Sequence, residues 1–303
     1  MTTTTATEQR LDEFIKVILS SSEIVDVASR TGQSEADKLL ASYTNEARVG
    51  LKLVEPLLRP GLRLLEVGCG IGALSKFLLD SGYTVTGIEP AASGFGFMRE
   101  IGSAIARLEP ARRDAGWIPI GAEALNARDH GTFDLIFSTN VLEHVSDLEG
   151  AFRGMSSVLA PGGWMVHLCP NYVIPFEPHF GIPLLPFAPG ATQHLFPKTV
   201  ARYPGLWEGL NFITSRRVKK LARSHGLDVR FDRGLLAETF ARFETDPTFR
   251  ERQGTIASAV HRVVSKTGLL AGLNALPGEY VTPMIMRLER SRAVNTAAKG
   301  GTS

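Results

Sequence analysis

The stretch "LRLLEVGCGIGALSKFLLDSGYTVTGIEP", Leu62 to Pro90, constrains the fold of this chain more than any other. An apolar run leads into glycines at 68, 70 and 72, then a helical pattern from Ile71 to Asp80 stopped by Gly82, then a second apolar run. This is the strand, loop, helix, strand order of a parallel β-α-β unit. The alternation continues with a helix near Phe95 to Arg107, strands at "WIPIG" and "FDLIFS" (Phe133 to Ser138), and a helix capped at Asp147. Leu148, Ala151, Phe152, Met155, Val158 and Leu159 share one face of that last helix, which is expected to end at "APGG" before the strand "WMVHLCP". Crossover helices of this length predict an α/β fold, doubly wound, around a mostly parallel sheet covered on both faces.

The flanks divide the rest. "RLDEFIKVILS" and "EADKLLASYTNEARVGLKLVEPLL" read as two amphipathic helices, an N-terminal cover over residues 1–60 that "RPG" closes. The main domain then spans 61–290, with insertions at 171–214 and 235–279, the second largely helical, and a disordered tail at 291–303. The first insertion is dense in proline and aromatics, and Tyr172, Phe176, Phe180, Phe187, Phe196, Tyr203 and Trp207 are expected to wall a pocket. "YVTPMIMRLER" alternates as a final strand, which Pro283 should confine to an edge or a bulge. Arg216, Arg217, Lys219, Lys220 and Arg223 read as the solvated face of a helix.

Charge excludes some partners. Thirty-three basic against 31 acidic residues leave a formal +2, too weak a field to imply nucleic acid. The polar N-terminus lacks a signal-peptide pattern, and "GLLAGLNAL" falls well short of the roughly 20 apolar residues that span a bilayer. Two distant cysteines, Cys69 and Cys169, support neither a disulfide framework nor a thiolate cluster. A cytoplasmic monomer or homodimer is expected.

Gly68, Gly70 and Ala73 satisfy the small-residue spacing of a dinucleotide fingerprint, but the neighbouring carboxylates choose between ligands. Glu66 stands two residues before Gly68 at the end of the first strand, and Glu89 ends the second. Beside a pyrophosphate, Glu66 would repel by about 4 kcal/mol at 4 Å and an effective dielectric of 20. A phosphate-free, cationic nucleoside turns that repulsion into attraction. The plainer alternative makes Glu66 a cap for loop amides and Glu89 a solvated strand end.

"LLEVGCGIGALSKFL", "VTGIEP", "FDLIFSTNVLEHV" and "LAPGG", in this order and at these separations, resemble the class I S-adenosylmethionine-dependent methyltransferases, most nearly the quinone-biosynthesis-like small-molecule O-methyltransferases. The resemblance is strong over Leu62 to Pro170 and loose through 215–233 and 280–288. It implies a Rossmann-like, seven-stranded, mostly parallel sheet with its last strand antiparallel, and S-adenosyl-L-methionine as cofactor. Glu66, Gly68, Gly70 and Gly72 would then meet the methionine part and Glu89 the ribose, with Cys69 and Pro90 also at the cofactor. Ala122 through its backbone and Glu123 through its side chain are candidates for the adenine, and Asn140 for the region of the transferred methyl group.

Methyl transfer from a sulfonium asks the protein mainly to hold the acceptor in line and take its proton. His144 in "NVLEHV" is the first candidate base by position, with His179 of "FEPHFGIP" the second; Glu143 adjoins them. Some relatives bind a divalent ion through Glu-x-x-Glu-His. Here the first carboxylate is Asn140, which weakens a hard-cation site, so no metal is expected. The expected reaction is methylation of a small-molecule or glycan acceptor, which the apolar insertion allows to be hydrophobic, most naturally at oxygen. A nicotinamide-dependent oxidoreductase and a catalytically silent cofactor-binding scaffold are the alternatives.

Overall fold

The computed structural model describes residues 5–30, 36–90, 96–110, 117–233, 261, 262, 265 and 275–291. The expected helical insertion at 235–279, most of "GLLAGLNAL" and the expected tail lie largely outside them. The chain divides into two units, Met1–Thr139 with Glu149–Val166, and Asn140–Leu148 with His167–Ser303.

The first unit opens with three helices where the sequence pattern suggested two: α1 (Ala6–Ser20), α2 (Ser22–Arg30) and α3 (Ala36–Val54). Ser21 adopts extended backbone (φ −73°, ψ 114°) and separates the first two. Serine hydroxyls compete for helical backbone bonds, so the run Ser20 to Ser22 is the local cause. Thr5 caps α1 in a reciprocal box with Glu8. Leu11, Ile15, Ile18, Leu40, Ala47 and Leu51 are buried as the helical stripes required.

The unit continues with β1 (Arg63–Val67), α4 (Ala73–Asp80), β2 (Thr84–Ile88), α5 (Gly96–Ala106), β3 (Trp117–Ile118), α6 (Ala127–His130), β4 (Phe133–Thr139), α7 (Leu148–Val158) and β5 (Leu159–Cys169). β1 pairs in parallel with β2 (Glu66↔Gly87) and with β4 (Glu66↔Phe137). Leu64, Leu65, Leu135, Ile136 and Phe137 are buried, the run of apolar residues that a sheet covered on both faces demands. "APGG" belongs to β5 instead of a turn before it. A Cβ on Gly163 would stand 2.9 Å from the Asp134 carbonyl oxygen, so glycine lets the chain run close beside β4.

The second unit holds β6 (Phe176–Glu177), β7 (Ile182–Pro183), α8 (Pro197–Val200), α9 (Ser215–Ser224), β8 (Leu227–Phe231) and β9 (Met284–Arg290). β6 and β7 form an antiparallel hairpin, and β8 lies antiparallel to β9. Thr214 caps α9 by accepting the Arg217 N–H; Val218, Leu221 and Ala222 turn inward, and all five basic residues face solvent as expected. The strand order β3-β2-β1-β4-β5-β9-β8 gives the seven-stranded, mostly parallel sheet that the sequence predicted. Pro283 is a correction: β9 is an interior strand. The proline immediately precedes its first residue, so no ladder N–H is lost.

Candidate functional site

In the first unit the chain steps outward from β1 to β2 and β3, then returns to β4, and such a reversal places the ligand crevice at the carboxyl ends of these strands. The glycine loop sits there. Gly68, Gly70 and Gly72 have φ of 70°, 54° and 70°, a left-handed backbone that glycine adopts without strain. The Gly68 and Cys69 N–H groups donate to the Ile88 carbonyl at 2.8 and 3.1 Å, binding the loop to the end of β2. Glu89 reaches back to accept the Gly70 N–H at 2.9 Å. Cys69 is buried against Gly87, where a Cβ would lie 2.8 Å from its Sγ; burial, then the nearby carboxylates, hold its thiol well above the ordinary value. It packs the loop and is no nucleophile.

Two aromatic residues complete this cradle, and the sequence reading did not single out either. The Trp117 indole fills the space beside Gly72 and Gly102, where Cβ atoms would fall 2.5 and 1.8 Å from its ring. The Tyr43 ring of α3 would meet a Cβ on Gly70 at 3.3 Å. Its place in a helical stripe made Tyr43 look like ordinary core.

Glu66 accepts a hydrogen bond from the Ser75 hydroxyl, and burial pushes its pKa up from 4.5 to about 8. Burial raises Glu89 as well. The sign follows directly for Glu66: between 4.5 and about 8 the folded chain holds a proton that the unfolded chain has released. Its contribution to stability is therefore full below 4.5 and lost as pH rises through about 8. A positively charged ligand favours the ionised carboxylate, so its affinity runs the other way. Thermal melts with and without the sulfonium ligand that the sequence implies, between about pH 6 and 8, should show the ligand-induced shift growing with pH. Affinity should gain up to about tenfold per pH unit; a flat profile would remove Glu66 from ligand binding.

The remaining cofactor candidates are less enclosed. Ala122 is buried in a 3-10 turn, Ala122–Ala124, whereas Glu123 and Pro90 are exposed. Asn140, in the second unit, has φ 52° and donates its N–H to the Leu168 carbonyl at 2.8 Å. Left-handed backbone at a non-glycine residue is uncommon and concentrates at functional positions.

The second unit brings together the three candidates for proton chemistry. Glu143 and His144 lie on a 3-10 turn, Leu142–His144, which Asn211 clamps: its backbone N–H donates to the Glu143 carbonyl, and its side-chain amide to those of Leu142 and Val145 at 2.7 and 2.8 Å. The His144 and His179 rings stand edge to face, centroids 5.4 Å apart. Glu177, on β6 and fully buried, accepts from His179 Nδ1 at 2.6 Å, from the Tyr172 hydroxyl at 3.0 Å and from the Phe180 N–H at 2.8 Å. A carboxylate only accepts, so Nδ1 of His179 carries a proton, and in the neutral ring Nε2 then holds the lone pair.

The two histidines therefore differ in kind. Burial, reinforced by the neighbouring His179, pulls His144 down to about 4, leaving it neutral at pH 7 and a weak base. His179 is part-exposed and already paired with a carboxylate. Tyr172, Phe180, Trp207 and Phe212 pack ring edge to ring face in this unit, at centroid distances of 5.3 to 5.5 Å for the pairs Tyr172–Phe212, Phe180–Trp207 and Trp207–Phe212. Phe187, expected as a pocket wall, is instead exposed at 104%, whereas Tyr203, exposed at 53%, still sets its ring edge to face with Phe180 at 5.8 Å.

One oxygen of Glu143 and one nitrogen each of His144 and His179 lie within 4.8 Å of one another. Nitrogen and oxygen donors suit zinc, yet tetrahedral legs of 2.0–2.1 Å bring ligand atoms to about 3.3 Å. Any pair of these atoms at the far end of that reach would have to draw closer to share an ion.

Residues 33–230 match a family model described as a methyltransferase domain. An uncharacterized protein of Mycobacterium tuberculosis (strain ATCC 25618 / H37Rv) is 37% identical over 221 residues, 70% of this chain and 74% of that one. A ubiquinone biosynthesis O-methyltransferase of Caulobacter sp. (strain K31) is 36% identical over 106 residues, 35% of this chain and 40% of that protein. Among solved structures, magnesium protoporphyrin IX methyltransferase from Synechocystis PCC 6803, with bound SAH, superposes at a TM-score of 0.48 and 15% identity, covering 91% of this chain and 97% of that one.

Proposed function

The chain belongs to the class I S-adenosylmethionine-dependent methyltransferases, and from that premise we propose that it methylates an oxygen of a small-molecule or glycan acceptor, with His179 as the base. The observation that carries this reading is the buried Glu177 carboxylate on His179 Nδ1. When bound, the cofactor supplies a methyl group on a sulfonium whose departure needs no further activation. What this chain must then provide is a place for the acceptor hydroxyl and a base for its proton. Nε2 of His179 takes that proton as the new oxygen–carbon bond forms, and Glu177 stabilises the resulting imidazolium without accepting the proton itself. Tyr172 and the Phe180 N–H keep Glu177 in place, so the imidazole is oriented before the acceptor arrives.

His144 takes a different part. Neutral and part-buried, it serves as a hydrogen-bonding wall beside His179, and its low pKa keeps a second positive charge away from the imidazolium. In the first unit Glu66, Cys69, Gly68, Gly70 and Gly72 hold the methionine part and Glu89 the ribose. The resemblance to the ubiquinone O-methyltransferase supports oxygen as the acceptor atom.

Incubation with cofactor labelled in the methyl group, followed by fractionation of host metabolites, tests the reading. Label should pass to an organic fraction and be stable to mild base as an ether, or released by it as an ester. Cofactor binding with no transfer to any fraction would make the protein the silent scaffold considered above, and transfer to nitrogen would remove the need for a hydroxyl base.

A further inference from the structure

Phe187 is wholly exposed at 104%, and on the same short stretch Leu195 is exposed at 61%, Leu185 at 38% and Tyr203 at 53%. This tip is held in shape from within. Thr192 is fully buried; its hydroxyl accepts the Leu185 N–H at 2.9 Å, and its carbonyl accepts the N–H groups of Leu195 and Phe196 at 2.9 and 3.3 Å. The turns therefore present Leu185, Phe187 and Leu195 outward when those side chains would gain by burial.

The charge pattern of the segment is as one-sided as its apolarity. From Pro178 through Trp207 there is no Asp or Glu, in a chain with 31 of them among 303 residues. Lys198 and Arg202 are both exposed and four residues apart, and acidic residues resume at Glu208. Apolar tips beside cations, with a tyrosine between oil and water, match the interfacial layer of a membrane with anionic headgroups. An acid-free segment offers no carboxylate to the cations of a protein partner, whereas lipid phosphates suit Lys198 and Arg202.

We propose that the segment 185–203 docks this protein on an anionic bilayer surface, with Phe187, Leu185 and Leu195 entering the headgroup boundary and Lys198 and Arg202 meeting phosphates. No described helix is long and apolar enough to cross a membrane, so the attachment is peripheral. The inference goes beyond the catalytic reading and does not depend on it.

Sedimentation of the full chain with phosphatidylcholine vesicles, with and without phosphatidylglycerol, tests it. Partitioning onto the anionic vesicles should exceed that onto neutral ones by roughly tenfold or more, since each cation near such a surface adds to the attraction. Phe187→Asp should lower partitioning onto anionic vesicles by about tenfold or more while leaving the melting temperature unchanged, because the ring has no packing to lose. Leu195→Asp should act in the same direction, and Lys198→Glu with Arg202→Glu should abolish the preference for phosphatidylglycerol. A chain that stays in solution with both kinds of vesicle overturns the proposal and leaves a protein partner for the tip, and so does Phe187→Asp that pellets like the parent.

Discussion

His179→Ala should lower kcat by roughly 10²- to 10⁴-fold, the usual worth of a positioned base, and leave cofactor affinity within a few-fold. The split is diagnostic because His179 pairs with Glu177 and packs against His144 inside the second unit, while the glycine loop and its carboxylates belong to the first. Glu177→Gln provides the second arm. The amide keeps the volume but offers an N–H where a charged oxygen had been, so either the Tyr172 hydroxyl, the Phe180 N–H or His179 loses its acceptor. Turnover should fall with little change in KM, and the limb of the pH profile due to the base should move with it. His144→Ala, by contrast, should cost less in kcat than His179→Ala. Single-turnover measurements with an acceptor in hand decide the order, and a larger loss at His144 would transfer the base to that residue.

Glu89→Ala should weaken S-adenosylmethionine binding by about ten- to a hundredfold, the consequence of losing hydrogen bonds to a charged acceptor worth about 1.5–3 kcal/mol. The carboxylate also accepts the Gly70 N–H, so the variant loosens the loop as well as removing the proposed ribose contact. Two measurements separate these effects. Isothermal titration with the cofactor and with free adenosine should lose similar factors if the ribose contact dominates; selective loss of the complete cofactor would mean that loop order matters more. An unaltered titration with both would take Glu89 out of the site.

The fold was legible wherever burial imposed a period. Strands such as the one holding Leu64 and Leu65 and the one holding Leu135 to Phe137 carry unbroken apolar residues at their centres, and the helix of Leu148, Phe152 and Met155 declares its inner face. Breaks of local origin were harder. The Ser20 to Ser22 interruption splits a stripe that continues on both sides, and Pro283 reads as an obstacle until its place just ahead of β9 is known.

The candidate site shows the same division. The glycines and Glu66 lie in one contiguous motif, which is why they could be named. Glu177 stands two residues from His179 in a proline-rich stretch with no period, and only the β6–β7 hairpin reveals that it is buried and saturated with donors. Tyr43, Trp117 and Asn211 act through contacts distant in sequence, for which no local signal exists. Phe187 carried the right chemistry for a pocket wall, but composition does not tell which way a ring points.

The clamp formed by Asn211 has a corollary. It fastens the turn bearing Glu143 and His144 to the root of the long aromatic insertion, some twenty residues past its outermost ring. The outer portion can thus be rewritten without releasing the turn that carries Glu143 and His144, so the wall beside the base is independent of the tip.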